Sequence, residues 1–322
     1  MHLLAPERQR RTLDELHDRL DFTVGDARSK RSAFWIMLTL SSVIAISGVI
    51  GDSTATVIGA MIVAPLSVPI LGVALGIATG KAGLVGRSLV LVAAGIVLVI
   101  AVGFVFAQLL PNPTNVLSNA QVLGRTSPKL MDLTAALATG LVGVIAMIRR
   151  DVGDVLPGVA IAISLVPPLA VVGVCLGSHA PALALGAFVL FASNMIAMII
   201  TATVVLVVTG YAHEAGMAGA RRGRAYILLT AALILVAAPM VVNSLSSLWA
   251  DRIATATRAW LADVPGAQVT EVTLHSDTAT VRVLAPNDLP PIEELQRKVD
   301  DIVPWNPRVV IVHTVGSRTE NR

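Results

Sequence analysis

Little in this sequence is charged, and less is aromatic. Asp, Glu, Lys and Arg make up only 14% of its 322 residues, against roughly 25% in soluble domains, and aromatic residues make up 4%. Too few polar groups remain to cover a water-facing surface of this size. With 55% hydrophobic residues and a mean hydropathy of +0.76, the composition is that of a membrane protein. The one cysteine, Cys175, lies inside an apolar run, which excludes an intrachain disulfide and leaves the redox compartment unread. It is expected to be a small packing residue. HExxH motifs, Cys/His clusters, G-x-S-x-G elbows and phosphate loops are all missing, and His179 and His213 stand alone in connections. The protein is therefore not expected to be an enzyme, and no metal or cofactor is expected. The net charge of +3 is small, and no nucleic-acid partner is expected. No apolar core occurs before residue 34, so a cleavable signal peptide is not expected and the first hydrophobic segment directs insertion.

What is present is a series of long apolar runs. Segments of about 20 residues cross a hydrocarbon core of about 30 Å, and such runs fall at 34–50, 57–79, 88–110, 133–148, 155–176, 181–209 and 226–248. None has an Asp, Glu, Lys or Arg in its interior, which argues against a buried carboxylate relay. Basic loops are retained in the cytoplasm. Arg8, Arg10, Arg11, Arg19, Arg28, Lys30 and Arg31 place the N-terminus inside, and Lys81, Arg87, Arg149, Arg150, Arg221, Arg222 and Arg224 recur in alternate connections. The opposite connections hold only Arg125 and Lys129. About seven crossings satisfy that alternation, and Trp35, Tyr211, Tyr226 and Trp249 mark segment ends where amphipathic rings settle.

An odd number of crossings sends residues 250–322 outside. There AQVTEVTLHSD, TATVRVLAP and RVVIVHTVG alternate as half-buried strands do, and PPIEELQRKVDDIV reads as an amphipathic helix. The N-terminal arm, 1–33, carries a stripe of Leu13, Leu16 and Leu20, which fits a short helix on the inner surface or a solvated segment. The fold class expected is an all-α polytopic membrane protein of about seven transmembrane helices within 34–248, followed by a small, soluble, extracytoplasmic α+β domain.

The first six runs group as three and three, 34–110 and 133–209, each with a proline-bearing run in the middle and 226–248 left over. GVALG at Gly72–Gly76 and GVCLG at Gly173–Gly177 differ at one position, and Pro65 and Pro69 precede one as Pro167 and Pro168 precede the other. An odd number of crossings per unit turns the second unit upside down, the plan of many secondary transporters. Proline lacks an N–H, so in continuous helices the carbonyls of Met61, Pro65, Ile163 and Ser164 lose their donors. In hydrocarbon each must find a partner: a neighbouring helix, the Ser67 or Ser164 hydroxyl, water or an ion.

VIGAMIVAPLSVPILG, LPGVAIAISLVPPLAVVG and the later SNMIAMI resemble the domain-of-unknown-function 389 family of prokaryotic integral-membrane proteins, across about residues 32–210. The resemblance implies a polytopic protein of the prokaryotic cell membrane and carries no activity and no site residue.

The candidate pathway comprises Asp52, Met61, Pro65, Ser67, Pro69, Ile163, Ser164, Pro167, Pro168 and Asn194. Asp52, with Ser53 and Thr54, also suits capping of the next helix, and Asn194 suits an interhelical hydrogen bond. Gly72 and Gly76, like Gly173 and Gly177, form GxxxG pairs for close helix packing within or between subunits, from which a homo-oligomer is expected. Arg149 and Arg150 set topology or gate an anion. Two functions follow: a transporter or channel for a small ion or solute, running between the proline-broken helices, or a scaffold or sensor whose external domain binds a ligand or partner.

Overall fold

The structure, a computed structural model, describes residues 6, 8–109, 117–152, 165–216, 219–275, 278–286 and 289–316. The chain divides into two compact units, Met1–Met240 and Val241–Arg322.

Unit 1 is helical. Helix α1, Leu13–Leu20, starts at a capping box: the Glu15 N–H donates to Thr12 Oγ1 at 3.3 Å and the Thr12 N–H to Glu15 Oε2 at 3.0 Å. Its Leu16 and Leu20 are buried and it packs on α4, so the arm is folded onto the helical unit. Helices α2 (Ala27–Ile50), α5 (Ala82–Gln108), α7 (Leu130–Ile148) and α9 (Pro181–Val208) are the long apolar members. Between them stand α3 (Thr54–Val63), α4 (Ser67–Thr79), α6 (Ala120–Thr126) and α8 (Val166–Gly177), and α10 (Tyr211–Glu214) follows the last. The buried faces of α2, α4, α5, α8 and α9 form one hydrophobic core.

Five helices are long and apolar enough to cross a membrane among the described residues: α2, α5, α7, α9 and Leu233–Trp260 of helix α11 (Gly219–Trp260). A sixth is obtained if α3 and α4, bent by 49°, count as one span. The fifth expected run, 155–176, is described only from Leu165, as α8. The proline-bearing run expected at 57–79 is broken into two helices, α3 and α4. Ala64 adopts φ −68°, ψ 120°, the extended geometry that a following proline imposes, and helix resumes at Ser67. At the other end α11 runs unbroken past residue 249, where no glycine or proline stops it, and contains Pro239.

Unit 2 holds a three-stranded mixed sheet. Strands β1 (Gln268–His275) and β2 (Thr278–Ala285) pair antiparallel, and β3 (Arg308–Val315) joins β2 in parallel after helix α12 (Ile292–Ile302). Val281, Val283 and Ala285 point from β2 into a core with Leu295 and Val299 of α12 and Ile253 and Trp260 of α11.

Candidate functional site

The break between α3 and α4 shows what its prolines do. The Pro65 carbonyl, expected to lose its donor, accepts the Val68 N–H at 3.2 Å. Pro69 occupies the third position of α4, where a backbone N–H has no intrahelical partner in any case. One turn earlier the Ala60 carbonyl accepts both the Ala64 N–H at 3.2 Å and the Ser41 hydroxyl of α2 at 2.9 Å. Pro167 and Pro168 likewise lie in the first turn of α8, and Ile163 and Ser164 fall outside the described residues. The Pro65 carbonyl thus finds its partner within its own chain, because the helix stops and restarts there.

Ser67, in the first turn of α4, differs from Ser42, Thr79 and Thr203 and shares with Ser47 and Ser88 a hydroxyl that makes no hydrogen bond among the described residues. Ser42, Thr79 and Thr203 each donate to the carbonyl four residues back. For Ser67 that carbonyl belongs to Val63, across the break, and its hydroxyl makes no hydrogen bond among the described residues. Ala64, Pro65, Ser67 and Val68 remain half-buried, whereas α4 is mostly buried from Pro69 onward and α8 almost throughout. Asn194 is buried in α9, and Met61 in α3 is 9% exposed. Helix α3 contacts α8, and both α4 and α8 lie against α5 and α9.

Asp52 sits at φ 49° in the turn between α2 and α3 and reaches another helix: its Oδ1 accepts the Gln121 N–H of α6 at 3.2 Å. The cap of α3 is Ser53, whose hydroxyl oxygen accepts the Thr56 N–H at 3.3 Å. Gln121 Nε2 donates to Thr54 Oγ1 at 2.9 Å and Asn119 Nδ2 to the Val49 carbonyl at 2.6 Å. The short helix α6 is thereby sewn to the α2–α3 turn.

The four glycines are consumed within the chain. A Cβ on Gly72 would meet Ser88 Oγ at 2.7 Å, and one on Gly76 would meet Val85 Cγ2 at the same distance. Gly173 leaves no room for a Cβ beneath the Ile100 carbonyl and Gly103, and one on Gly177 would reach the Ala107 Cβ at 2.6 Å. On α8 and on α5 alike, small residues four apart face each other. They offer no free face to a second copy.

Sequence reasoning missed the linkage of the arm to the connections that follow α4, α7 and α9. Arg10 pairs with Arg149 as an isolated antiparallel bridge; the Arg11 N–H donates to the Ile148 carbonyl and the Arg150 N–H to the Gln9 carbonyl, both at 2.8 Å. Arg10 also forms an ion pair with Glu214 and lies 3.9 Å over the buried Tyr211 ring, whose hydroxyl donates to the Arg11 carbonyl at 2.6 Å. Arg150 meets Glu15, and Arg149 clasps Asp151 through two hydrogen bonds. Farther along, Arg87 Nη2 donates to Asp21 Oδ2 and Lys81 Nζ to His17 Nε2, both at 2.8 Å. The arm therefore joins the starts of α2 and α5 to the ends of α7 and α9. The one local signal was the capping box with its leucine stripe.

Burial pushes the Asp21 carboxyl upward, but the Thr23 hydroxyl and N–H and the Arg87 guanidinium outweigh it, and its pKa lies below the ordinary value. His17 is lowered by burial and by the Lys81 charge, which leaves it a neutral acceptor for the lysine at pH 7.

A helical unit with several apolar, membrane-length helices and one bent, proline-bearing pair is compatible with a membrane protein. Residues 61–200, from the end of α3 to α9, match the family model described as a domain of unknown function, DUF389. The matched range falls inside the one read from the VIGAMIVAPL and LVPPLAVVG motifs. An uncharacterized protein of Methanocaldococcus jannaschii, MJ0678, is 32% identical over 170 residues, which cover 53% of this chain and 52% of that protein. The chain thus spans about half the length of the curated relative it matches. No solved structure matches.

Proposed function

We propose that this is a seven-span protein of the prokaryotic cell membrane that conducts or transports a small ion or solute, with its pathway beside the α3–α4 break, on the side where α3 contacts α8. The observation that carries the reading is the unpaired, half-buried Ser67 hydroxyl at a break where helix α3 touches α8. The inverted repeat is supported by placement: α4 and α8, each opening on prolines, lie between the same pair of long helices, α5 and α9. That is the relation expected of equivalent elements in two inverted halves.

The crossing count is supported by which helix ends are tied together. The arm gathers residues 81, 87, 148–151 and 211–214. The other ends meet among themselves, with Gln108 Nε2 donating to the Gly177 carbonyl at 2.9 Å and Asn119 and Gln121 bound to residues 49–54. The chain then changes side between 53 and 80, and again between 152 and 177. A seventh crossing by α11 carries the C-terminal unit outside while the basic arm stays in the cytoplasm. Selectivity rests on hydroxyls, helix ends and backbone, since the described spans hold no charge near the break.

The test uses proteoliposomes under separate gradients of K⁺, Na⁺, Cl⁻ and a small neutral solute. The expected result is a flux above that of empty vesicles for at least one probe, lowered by Pro65→Ala combined with Ser67→Val. A flux unchanged in that variant, or none with any probe, contradicts the pathway. A scaffold or sensor role is favoured by the separate core of unit 2; removing residues 261–322, beyond the end of α11, would spare flux in a transporter and abolish partner capture in a scaffold.

A further inference from the structure

A groove of about 650 Å³ runs along unit 1 between α2 and α5. Its α5 wall is Gly83, Gly86, Arg87, Ser88, Val90, Leu91 and Ala94, and all but Ser88 fall at the three- and four-residue spacing of one helix face. Arg31 and Trp35, one turn apart on α2, form the other wall, and residues 21–23 close the end nearest the arm. The groove is polar at one end and apolar at the other. Arg31, Arg87 and Asp21 stand at the mouth; Trp35, Val90, Leu91 and Ala94 follow below, and Val90 is 70% exposed.

Three properties point to the same occupant. The mouth holds two guanidinium groups against one carboxylate, and Asp21 is already engaged by Arg87 and Thr23. Arg31 spends its Nε on the Phe22 carbonyl at 3.2 Å and forms no ion pair among the described residues. Excess positive charge is therefore left for an anion. From Gly83 to Ala94 helix α5 rises roughly 16 Å, close to one leaflet of a hydrocarbon core of about 30 Å. Trp35 borders the mouth, where an indole suits the headgroup boundary.

We infer that this groove is a binding site for an anionic phospholipid of the cytoplasmic leaflet, its phosphate between Arg31 and Arg87 and one acyl chain laid along Trp35, Val90, Leu91 and Ala94. The inference rests on the membrane embedding and orientation proposed above, and not on transport. A zwitterionic lipid brings a cationic group to the same pair of arginines and fits less well. The glycines make the space: a Cβ on Gly86 would meet nothing within 4 Å, so a larger side chain there would enter the groove without displacing the fold.

The test uses the full chain in phosphatidylcholine vesicles containing increasing fractions of brominated phosphatidylglycerol or brominated phosphatidylcholine. Quenching of Trp35 is read as the difference between the wild type and Trp35→Phe. Half-quenching should need about fivefold less of the anionic lipid for each arginine that contributes, the factor one basic residue supplies near an anionic surface. Arg31→Gln should erase much of that preference, and Gly86→Leu should weaken quenching by both lipids. Arg28→Gln, at an exposed residue outside the groove, should leave the preference intact. Equal quenching by the two lipids in the wild type, a preference that survives Arg31→Gln, or one lost in Arg28→Gln overturns the site while leaving the embedding in place. If neither brominated lipid quenches any tryptophan, the embedding fails and the site with it.

Discussion

Among the described residues Asp21 is the buried carboxylate, 5% exposed, and its partners Thr23 and Arg87 tie the arm to the start of α5. Asp21→Ala removes three charge-assisted hydrogen bonds, and losing a buried charged partner costs about 1–3 kcal/mol. Faster amide exchange across residues 13–26 should report it, and unchanged exchange would contradict the role. His17 gives the arm its response to mild acid. Its folded pKa is depressed, so the fold favours the neutral ring. The stabilisation is complete above the ordinary value of about 6.5 and is lost as pH falls through it toward the folded value. Asp21 has the opposite chemistry and a lower window, being lost only as pH falls below about 3.9. Between pH 7.5 and 5, arm cleavage by a protease should therefore rise in the wild type and stay flat in His17→Gln. A wild-type rate independent of pH over that range would contradict the assignment.

Helices α5 and α8 approach closely because Gly173 and Gly177 face Gly103 and Ala107. A Val at 173 would drive a side chain into the Ile100 carbonyl and the α5 backbone, and overpacking of this kind costs about 1–3 kcal/mol or more. Gly59 is the contrasting case, with nothing within 4 Å of a new Cβ; Gly59→Ala should be neutral or stabilising by about 0.5–1 kcal/mol. Thermal melts in detergent separate the two, and equal melting temperatures would contradict the crossing. In unit 2 the same logic applies to Val281, fully buried on β2: Val281→Asp should unfold the sheet, read as lost protease resistance of residues 241–316.

At this scale much of the fold was legible. Three strands and α12 followed from alternation and a proline start, and the leucine stripe of 13, 16 and 20 allowed α1 as one of two readings of the arm. Prolines 65 and 69 announced a disturbance, but not that the helix would end at Val63 with the Pro65 carbonyl rescued by Val68. Local pattern says where a helix weakens; it does not say which carbonyl a rebuilt turn will satisfy. The arm's partners were illegible for a related reason. Asp21 and Arg87, Arg150 and Glu15, and Arg10 and Glu214 are far apart in sequence, and charge alone does not choose among the many opposite charges in the chain.

For the whole molecule, the arm acts as a strap that collects one set of helix ends, while α6, Asp52 and Gln108 collect the other. Seven crossings predict that a C-terminal alkaline phosphatase fusion is active and an N-terminal fluorescent protein bright; the reverse pair would invert the orientation. The central claim is that the break between α3 and α4 is wet. Its most direct test places a single cysteine at Ser67 in a Cys175→Ser background and applies a charged, membrane-impermeant methanethiosulfonate to sealed vesicles. The account predicts labelling at Ser67→Cys, with a cysteine at buried Leu71 left unlabelled. A Ser67→Cys variant that folds yet resists the reagent from both sides would mean a dry break and no pathway through it.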